Sequence, residues 1–345
     1  DFFEPGVFSF LPPLRRSDTP GLDKKKTETG VPLPPPSKPD RLAFARWLVS
    51  PENPLTARVM VNRAWAALFG RGLVKTTEDF GFQGEPPSHP ELLDWLAAEF
   101  VKQGWSMKKL HRLIVTSVTY RQSSRATPEG LARDPENRLL ARGPRGRLEA
   151  EMVRDSALRA ASLFSARLGG PSVRPPQPEG ASGVAYSKPK WEASQGEDRY
   201  RRALYTFAQR TDPYAMAATF DAPTGEACVA RREVSNTPLQ ALTLLNDIVF
   251  IEAAQALGKQ HAAPQPASVE ERIRSLFRRI LTRPPTADEM TALKIFFEIQ
   301  RKRFSANDLD SGKVAGSPDG DADEHAAWTV LARAIFNLDE AVTNS

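Results

Sequence analysis

The sequence contains very little cysteine and histidine, and this limits the chemistry available to it. Cys228 is the only cysteine in 345 residues, which excludes an internal disulfide, a cysteine-rich zinc site and a Cys-x-x-Cys-His haem attachment within this chain. The histidines His89, His111, His261 and His325 are too far apart to supply two metal ligands from one helical turn. We therefore expect no metal site and no cofactor in this segment. We expect Cys228 to be a small buried residue, and His89 and His111 to have structural roles.

Long apolar runs are also missing. No stretch of eighteen apolar residues occurs, and the most apolar one, residues 239–257, is interrupted by Gln240, Asp247 and Glu252. Such a pattern predicts no transmembrane segment. The chain starts at Asp1, without an initiating Met and without the basic and apolar regions of a signal peptide, as expected for an internal piece of a longer protein.

Neither sign of charge dominates, since 47 basic residues face 42 acidic ones for a formal charge of +5. The densest basic stretch, residues 142–147, has three arginines but no interleaved aromatic residue, so we expect no nucleic-acid partner.

The glycine patterns that bind nucleotides and the Gly-x-Ser-x-Gly pattern of a serine nucleophile are also missing. The motifs therefore indicate no particular reaction.

What the sequence does contain is a series of amphipathic helical patterns separated by proline. Residues 1–39 hold several prolines and a run of three lysines, which predicts a Pro-rich linker or arm. The remainder predicts a mainly α, multi-helical globular fold with long irregular Pro-rich segments and at most a few short strands. We expect a main helical domain over residues 40–260, with a C-terminal helical subdomain over residues 261–345 packed on it.

Capping residues place most helix ends. Four segments carry more specific expectations. We expect one long helix from Thr237 through Leu257, a strand or short helix over residues 199–207, irregular chain after Gly169, and a mobile polar loop over residues 305–323. Helix starts are expected at Asp40, Asn53, Pro90, Ser106, Leu148, Thr237, Val269, Thr286 and Glu324.

Charged residues inside the apolar helical patterns need partners if they are buried. Glu151 and Asp155 are like-charged neighbours one helical turn apart, so we expect Arg231 or Arg232 to lie opposite them. The first interpretation is a structural network, and the second is a carboxylate-based active site. The arginines considered for substrate positioning or the network are Arg58, Arg63, Arg231 and Arg232, and the candidate catalytic groups are Glu85, Glu151, Asp155 and Asp221.

Several ordered motifs resemble one family, the C-terminal domain of planctomycete-type surface proteins that carry a cytochrome c domain, known as domain of unknown function 1553. The resemblance extends from about Arg41 to the end of the chain. The motifs are NPLTARVMVNR (53–63) with Trp65, FGRGLV (69–74), DFG (79–81), GEPPSHPELLDWL (84–96), TYRQSS (119–124), DPENR (134–138), GPSV (170–173), FDAP (220–223), NTPLQAL (236–242) and LND (245–247).

In such proteins this region follows a c-type haem domain and a second uncharacterised domain. The resemblance therefore implies a periplasmic or cell-surface location, an upstream cytochrome c domain of the same protein as a partner, and haem c only in that upstream part. Other subunits of an envelope assembly are further expected partners. The family supplies no catalytic residues that could be assigned to positions here.

Two functions remain open on this basis. The first is a non-catalytic scaffold or interaction domain of an exported, cytochrome c-linked protein, as part of an electron-transfer or envelope assembly. The alternative is a hydrolase that acts on a polymeric substrate such as a glycan through a carboxylate pair.

Overall fold

The computed structural model describes residues 41–178, 191–210, 212–316 and 321–344. Within them the chain forms thirteen α-helices and one small sheet of two strands, which confirms the mainly α fold. The predicted arm over residues 1–39 and the expected cap Asp40 lie outside the described residues.

The chain divides into two compact units, with the boundary between Gly146 and Arg147. This division differs from the one expected between residues 260 and 261, because helices on both sides of residue 260 contribute to one core. The first unit contains α1 (Arg41–Leu48), α2 (Thr56–Phe69), α3 (Pro90–Lys102), α4 (Met107–Val115) and α5 (Pro128–Arg133).

The core of the first unit lies where α2, α3 and α4 pack together. It buries Val61 and Trp65 of α2 with Leu96 and Phe100 of α3 and Ile114 of α4. These positions recur at the three- and four-residue spacing of one helix face, as the sequence predicted. Burial of these side chains away from water is the main favourable free-energy term that holds the three helices together.

Helix ends in the first unit follow local signals closely. Gly70 adopts a φ of 74° directly after α2, a left-handed conformation that glycine accepts without steric cost. Ser106 caps α4, since its hydroxyl accepts a hydrogen bond from the amide of Lys109. Asn53 accepts hydrogen bonds from the amides of Leu55 and Thr56, so α2 begins about two residues after the predicted start.

Helix α1 forms at the predicted place but buries none of its residues. Leu42 and Trp47, two of its apolar residues, are 54% and 42% exposed. Helical periodicity therefore identified the element but not the surface that would cover it.

The second unit is larger. Its helices are α6 (Ala150–Ala160), α7 (Ala215–Thr219), α8 (Pro238–Asn246), α9 (Ile248–Ala262), α10 (Val269–Leu281), α11 (Ala287–Ser305), α12 (Ser311–Ala315) and α13 (Ala322–Phe336). Strand β1 (Gly146–Arg147) includes the last residue before the boundary and the first one after it, and β2 (Thr343–Asn344) belongs to the second unit.

Helices α9 and α13 form the centre of this unit. Trp328 is fully buried and its ring lies 4.4 Å from that of Phe297 on α11. Gly258 faces Thr329 so closely that a Cβ at this position would overlap the threonine hydroxyl. Glycine is therefore required for the close approach of α9 to α13.

Two expectations about this unit are wrong. The long helix expected from Thr237 is two helices, α8 and α9, bent by 51°. Asp247 has an extended backbone and its carboxylate accepts a hydrogen bond from the amide of Val249, so it caps α9. The expected polar loop contains α12, which Asp310 caps and which buries Ala315.

Residues 199–207 were expected as a strand or a short helix. This part of the chain forms two short 3-10 turns, Gly196–Tyr200 and Ala203–Tyr205.

Across the parts of the chain that the structure describes, no single helix has both the length and the apolar composition to cross a membrane, although the bent pair α8 and α9 would meet both conditions together.

Candidate functional site

A cleft in the first unit, with a cavity volume of about 50 Å³, brings together charged and aromatic side chains from four segments. We call it the first-unit cleft. Its walls come from the end of α2, the two chain segments that follow it and the loop after α5. The residues that line it are Trp65, Phe69, Arg71, Gly72, Leu73, Lys75, Glu85, Pro86, Ser88, Glu136, Asn137, Arg138 and Leu140.

The segment after α2 is fixed by a buried amide side chain. Asn62 is fully buried, accepts a hydrogen bond of 2.9 Å from the amide of Val74 and donates one of 3.0 Å to its carbonyl. A Cβ on Gly72 would lie only 2.6 Å from Asn62 Nδ2. The pairing of Asn62 with this segment therefore requires glycine at position 72 and places Arg71 in the cleft.

Hydrogen bonds also fix the other two walls. The hydroxyl of Thr76 accepts from the amide of Glu85 at 3.0 Å. The carboxylate of Asp134 accepts from the amides of Arg138 and Leu139 at 2.8 and 2.7 Å. The bond from Leu139 is the main reason that the pKa of Asp134 lies below its usual value.

Two glutamates face the cleft with two cations between them. Arg71 Nη1 donates to Glu136 Oε2 at 2.8 Å. Lys75 Nζ lies 3.8 Å from Glu85 Oε1 and 4.0 Å from Glu136 Oε1. The hydrogen bond from Arg71, followed by its charge, lowers the pKa of Glu136 below its usual value and so favours the ionised carboxylate.

These distances also limit the separation of the two glutamates. Because both carboxylates lie within 4.0 Å of the same ammonium nitrogen, their Oε1 atoms cannot be more than about 8 Å apart. Paired carboxylates roughly 5 to 9 Å apart perform acid and base catalysis in glycoside hydrolases. Of the four carboxylates named from the sequence, Glu85 is the one that lies in this cleft.

Glu151 lies in the second unit and is bound by an arginine. Arg232 donates to both of its carboxylate oxygens, at 2.6 and 3.0 Å, and also lies 3.5 Å from Glu149. Burial opposes ionisation of Glu151, but the bonds from Arg232 outweigh it and lower the pKa of this carboxyl group. Of the two arginines expected opposite α6, Arg232 therefore takes this position, and Arg231 is exposed.

Asp155 follows one turn later on α6 but binds the backbone. Its Oδ1 accepts from the amide of Ala203 at 2.8 Å and lies 3.7 Å from Arg154 Nη1. Burial raises the pKa of Asp155, and these favourable contacts offset that effect only in part. The carboxylate thus anchors a short 3-10 turn to α6.

Asp221 and Gln240 join separate segments of the second unit. Asp221 accepts hydrogen bonds from the amide and the hydroxyl of Ser235, at 2.7 and 2.8 Å. Gln240 donates to the carbonyl of Thr219 and accepts from Arg147. Asp221 has a φ of 60°, an uncommon conformation that these bonds help to maintain.

The remaining predicted positions divide into buried and exposed ones. Arg58 is 2% exposed and donates to Asp94 Oδ1 and to the carbonyl of Pro54, both at 2.6 Å. Arg63 is exposed on the same helix.

Cys228 is exposed, so the expectation that it is buried is wrong. Its apolar neighbours suggested burial, but residues 223–231 are all exposed.

His89 and His111, for which structural roles were expected, have different surroundings. His89 precedes α3 and its Nδ1 lies 3.0 Å from the hydroxyl of Ser88, but its side chain makes no cap bond. His111 is exposed on α4. In the described residues, no group of three or more His, Cys, Asp or Glu side chains is arranged to hold a metal ion.

A family model for PSD1, a protein of unknown function (DUF1553), matches residues 40–297, which is most of the chain. The chain belongs to the PSD1 family. Comparisons with curated proteins and with solved structures give no match.

The motifs that resemble PSD1 have identifiable structural roles. FDAP (220–223) and NTPLQAL (236–242) meet through the bonds of Asp221, Ser235 and Gln240. FGRGLV (69–74) supplies Arg71 and Gly72 to the cleft, and DPENR (134–138) supplies Glu136. The resemblance therefore marked Arg71 and Glu136, but nothing in the sequence indicated that they meet Glu85.

Two fully buried arginines of the second unit were not among the predicted site residues. Arg154 donates to the carbonyls of Arg199 and Arg201 at 2.9 and 2.6 Å, and Arg201 donates to the carbonyls of Gly169 and Pro171. Their ligands are backbone oxygens of irregular chain, which leave no pattern in a sequence. These guanidinium groups hold residues 169–171 and 199–201 against α6.

Proposed function

We propose that this chain is a non-catalytic scaffold or interaction domain of an exported, cytochrome c-linked protein and part of an electron-transfer or envelope assembly. One observation carries this proposal. Glu151, Asp155 and Asp221 all use their oxygens to bind groups of their own fold, namely Arg232, the amide of Ala203 and Ser235. Carboxylates held in this way contribute to structure rather than to proton transfer.

The cytochrome link and the periplasmic or cell-surface location rest on the family resemblance of the motifs. Attachment of haem c through Cys-x-x-Cys-His needs two cysteines, and this chain has only Cys228. The haem would therefore be held by the upstream domain, and the two units described here would position that domain or bind its partners.

The test is a mild purification of the full-length protein from its native envelope. An absorption spectrum would detect haem, and mass spectrometry after cross-linking would identify proteins that purify with it. We expect a haem band and partner subunits in fixed ratio. A solitary protein without haem would contradict the proposal.

A second candidate function is hydrolysis of a glycan at the first-unit cleft, and the shared location of Glu85 and Glu136 favours it. Glu136 would stay ionised beside Arg71 and would act as nucleophile or as base toward water. Glu85 would donate the proton to the leaving glycosidic oxygen.

Release of reducing ends from a panel of soluble polysaccharides tests this second function. We expect Glu85→Gln and Glu136→Gln each to lower the rate at least a hundredfold, because each removes one of the two proton-transfer groups. Glu129→Gln changes an exposed glutamate of the same unit outside the cleft and serves as the control. Equal rates for all variants would exclude catalysis by this pair.

A further inference from the structure

The first-unit cleft contains a hydrogen-bond donor that the described protein atoms leave unsatisfied. Arg71 Nη2 is buried and has no hydrogen-bond partner there, although Nη1 of the same guanidinium binds Glu136. Nearly all buried donors in folded proteins are paired, because an unpaired one loses its bond to water without a replacement. Because this nitrogen is shielded from solvent, an acceptor atom of a ligand would pair it once the Arg71 side chain turns toward the cleft.

The other cations of the cleft are also available to a ligand. Lys75 Nζ is 3.8 and 4.0 Å from its two carboxylates, beyond the range of a direct hydrogen bond. Arg138 is exposed and makes no ion pair within 4 Å to any residue that the structure describes. Three cations therefore face two carboxylates, with one positive charge in excess.

An apolar wall lies beside these cations. The rings of Trp65 and Phe69 are stacked with centroids 4.1 Å apart, and Pro86 and Leu140 complete the wall. Binding sites commonly combine such an apolar wall with a few polar groups that orient the ligand. A ligand with a carboxylate on a compact, partly apolar ring would satisfy both parts of this cleft.

We propose that the first-unit cleft binds an acidic sugar, with its carboxylate between Arg71, Lys75 and Arg138 and its ring against Phe69. Arginine suits this role because its planar donors match a carboxylate. The inference extends the second proposed function, since it names the substrate class of the same cleft. It concerns binding alone, so a chain that binds the sugar without cleaving any glycan would refute the hydrolase and leave this inference standing.

The test is a calorimetric titration of the full chain with sodium glucuronate, with glucose and sodium sulfate as comparison ligands. We expect glucuronate to bind, glucose to bind at least tenfold more weakly because it lacks the carboxylate, and sulfate to bind more weakly because it lacks the ring. Lys75→Gln and Arg138→Gln should each weaken glucuronate binding about five- to tenfold, since each removes one charge-assisted hydrogen bond.

Arg63→Gln is the matched control, because Arg63 is an exposed arginine of the same unit that does not line the cleft. It should leave glucuronate binding unchanged. All three substituted residues are at or near the surface, so unchanged thermal midpoints would show that the variants are folded. Absence of glucuronate binding, equal affinity for glucose or for sulfate, or equal binding by all three variants would each overturn the assignment.

Discussion

The second unit buries Arg154 and Arg201 completely and surrounds them with backbone carbonyls, whereas the first unit keeps Lys75, Glu85 and Glu136 about half exposed around a cleft. A buried guanidinium loses its hydration, and here the carbonyls pair the Nη donors of both arginines, while each Nε has no partner among the described protein atoms. The groups of a half-exposed ion pair can replace their contact with each other by hydrogen bonds to water, at little cost in free energy. These two arginines thus support the fold of the second unit, whereas the charges of the first-unit cleft remain accessible to solvent.

The hydrophobic cores of the two units differ as well, and the second unit has the larger one. Among the described residues, twenty-eight buried ones form the core of the second unit and twelve form that of the first, so the second has more apolar contact to lose when a side chain is truncated. It also holds long irregular segments, including the chain that Arg201 binds. The two units should therefore respond differently to comparable substitutions.

Trp328→Ala should have the largest effect. Trp328 is fully buried, its ring packs at a tilt against Phe297, and its Nε1 hydrogen is donated to Glu324. Removal of such a side chain costs about 3–5 kcal/mol in the free energy of unfolding. Urea unfolding should show this loss, while Trp95→Ala in the first unit, where the ring is 53% exposed, should change stability by less than about 1 kcal/mol. Similar losses would show that burial of the ring does not decide the effect.

Arg154→Met tests whether the buried guanidinium holds the irregular chain. Methionine keeps most of the side-chain volume but leaves the carbonyls of Arg199 and Arg201 without their donors. We expect a loss of about 2–4 kcal/mol in urea unfolding, together with faster amide exchange in residues 199–203. Arg159→Met alters an exposed arginine of the same helix and should be nearly neutral.

Asp247→Asn should stabilise the protein at neutral pH. Burial is the main cause that raises the pKa of Asp247 to about 6 from 3.8, with Glu252 adding to it and the Val249 amide and Arg154 opposing it. The folded state therefore binds this proton more tightly than the unfolded state, and the ionised carboxylate costs on the order of 2–3 kcal/mol above pH 6.

Asparagine keeps the acceptor that caps α9 but carries no charge. The stability advantage of the variant should accordingly be largest at pH 7.5, shrink as the pH falls from about 6 to about 4, and vanish below that. Thermal midpoints of both proteins across this range would measure it. Asp308→Asn, at an exposed position, should show no such pH dependence.

Arg71→Gln should have the smallest effect on stability, because its ion pair with Glu136 is partly exposed. The pKa of Glu136 should instead rise toward its usual value of 4.5, since Arg71 is the main cause of its low pKa. Carboxyl carbon NMR shifts, followed through a pH titration, would measure the change, with Glu129 as internal reference. An unchanged pKa would show that Arg71 does not control the charge of the cleft.

Helix ends that depend on nearby residues were predictable. Pro90 begins α3, and Thr286 with Glu289 forms a capping box at the start of α11, as expected from their spacing of three residues. Asp247 shows where this reasoning fails. Its apolar flanks continue a helical pattern, but a buried carboxylate at this position caps a new helix instead.

The candidate site was less predictable than the fold. Glu85 was named from the sequence, but its cleft partners Arg71 and Glu136 were not, because they are 14 and 51 positions away from it. The pairing of Arg232 with Glu151 is an exception, because a like-charged pair on one helix needs a counter-ion and this need predicted an arginine opposite it.

The sequence by itself determined the mainly α class, most helix starts and the PSD1 family, because helical periodicity and capping act over a few neighbouring residues. Tertiary structure alone decided which charges are buried, that Cys228 is exposed, and that Glu85 and Glu136 share a cleft. Burial and the pairing of distant charges depend on how the chain packs in three dimensions, and packing leaves no periodic pattern in the order of the residues.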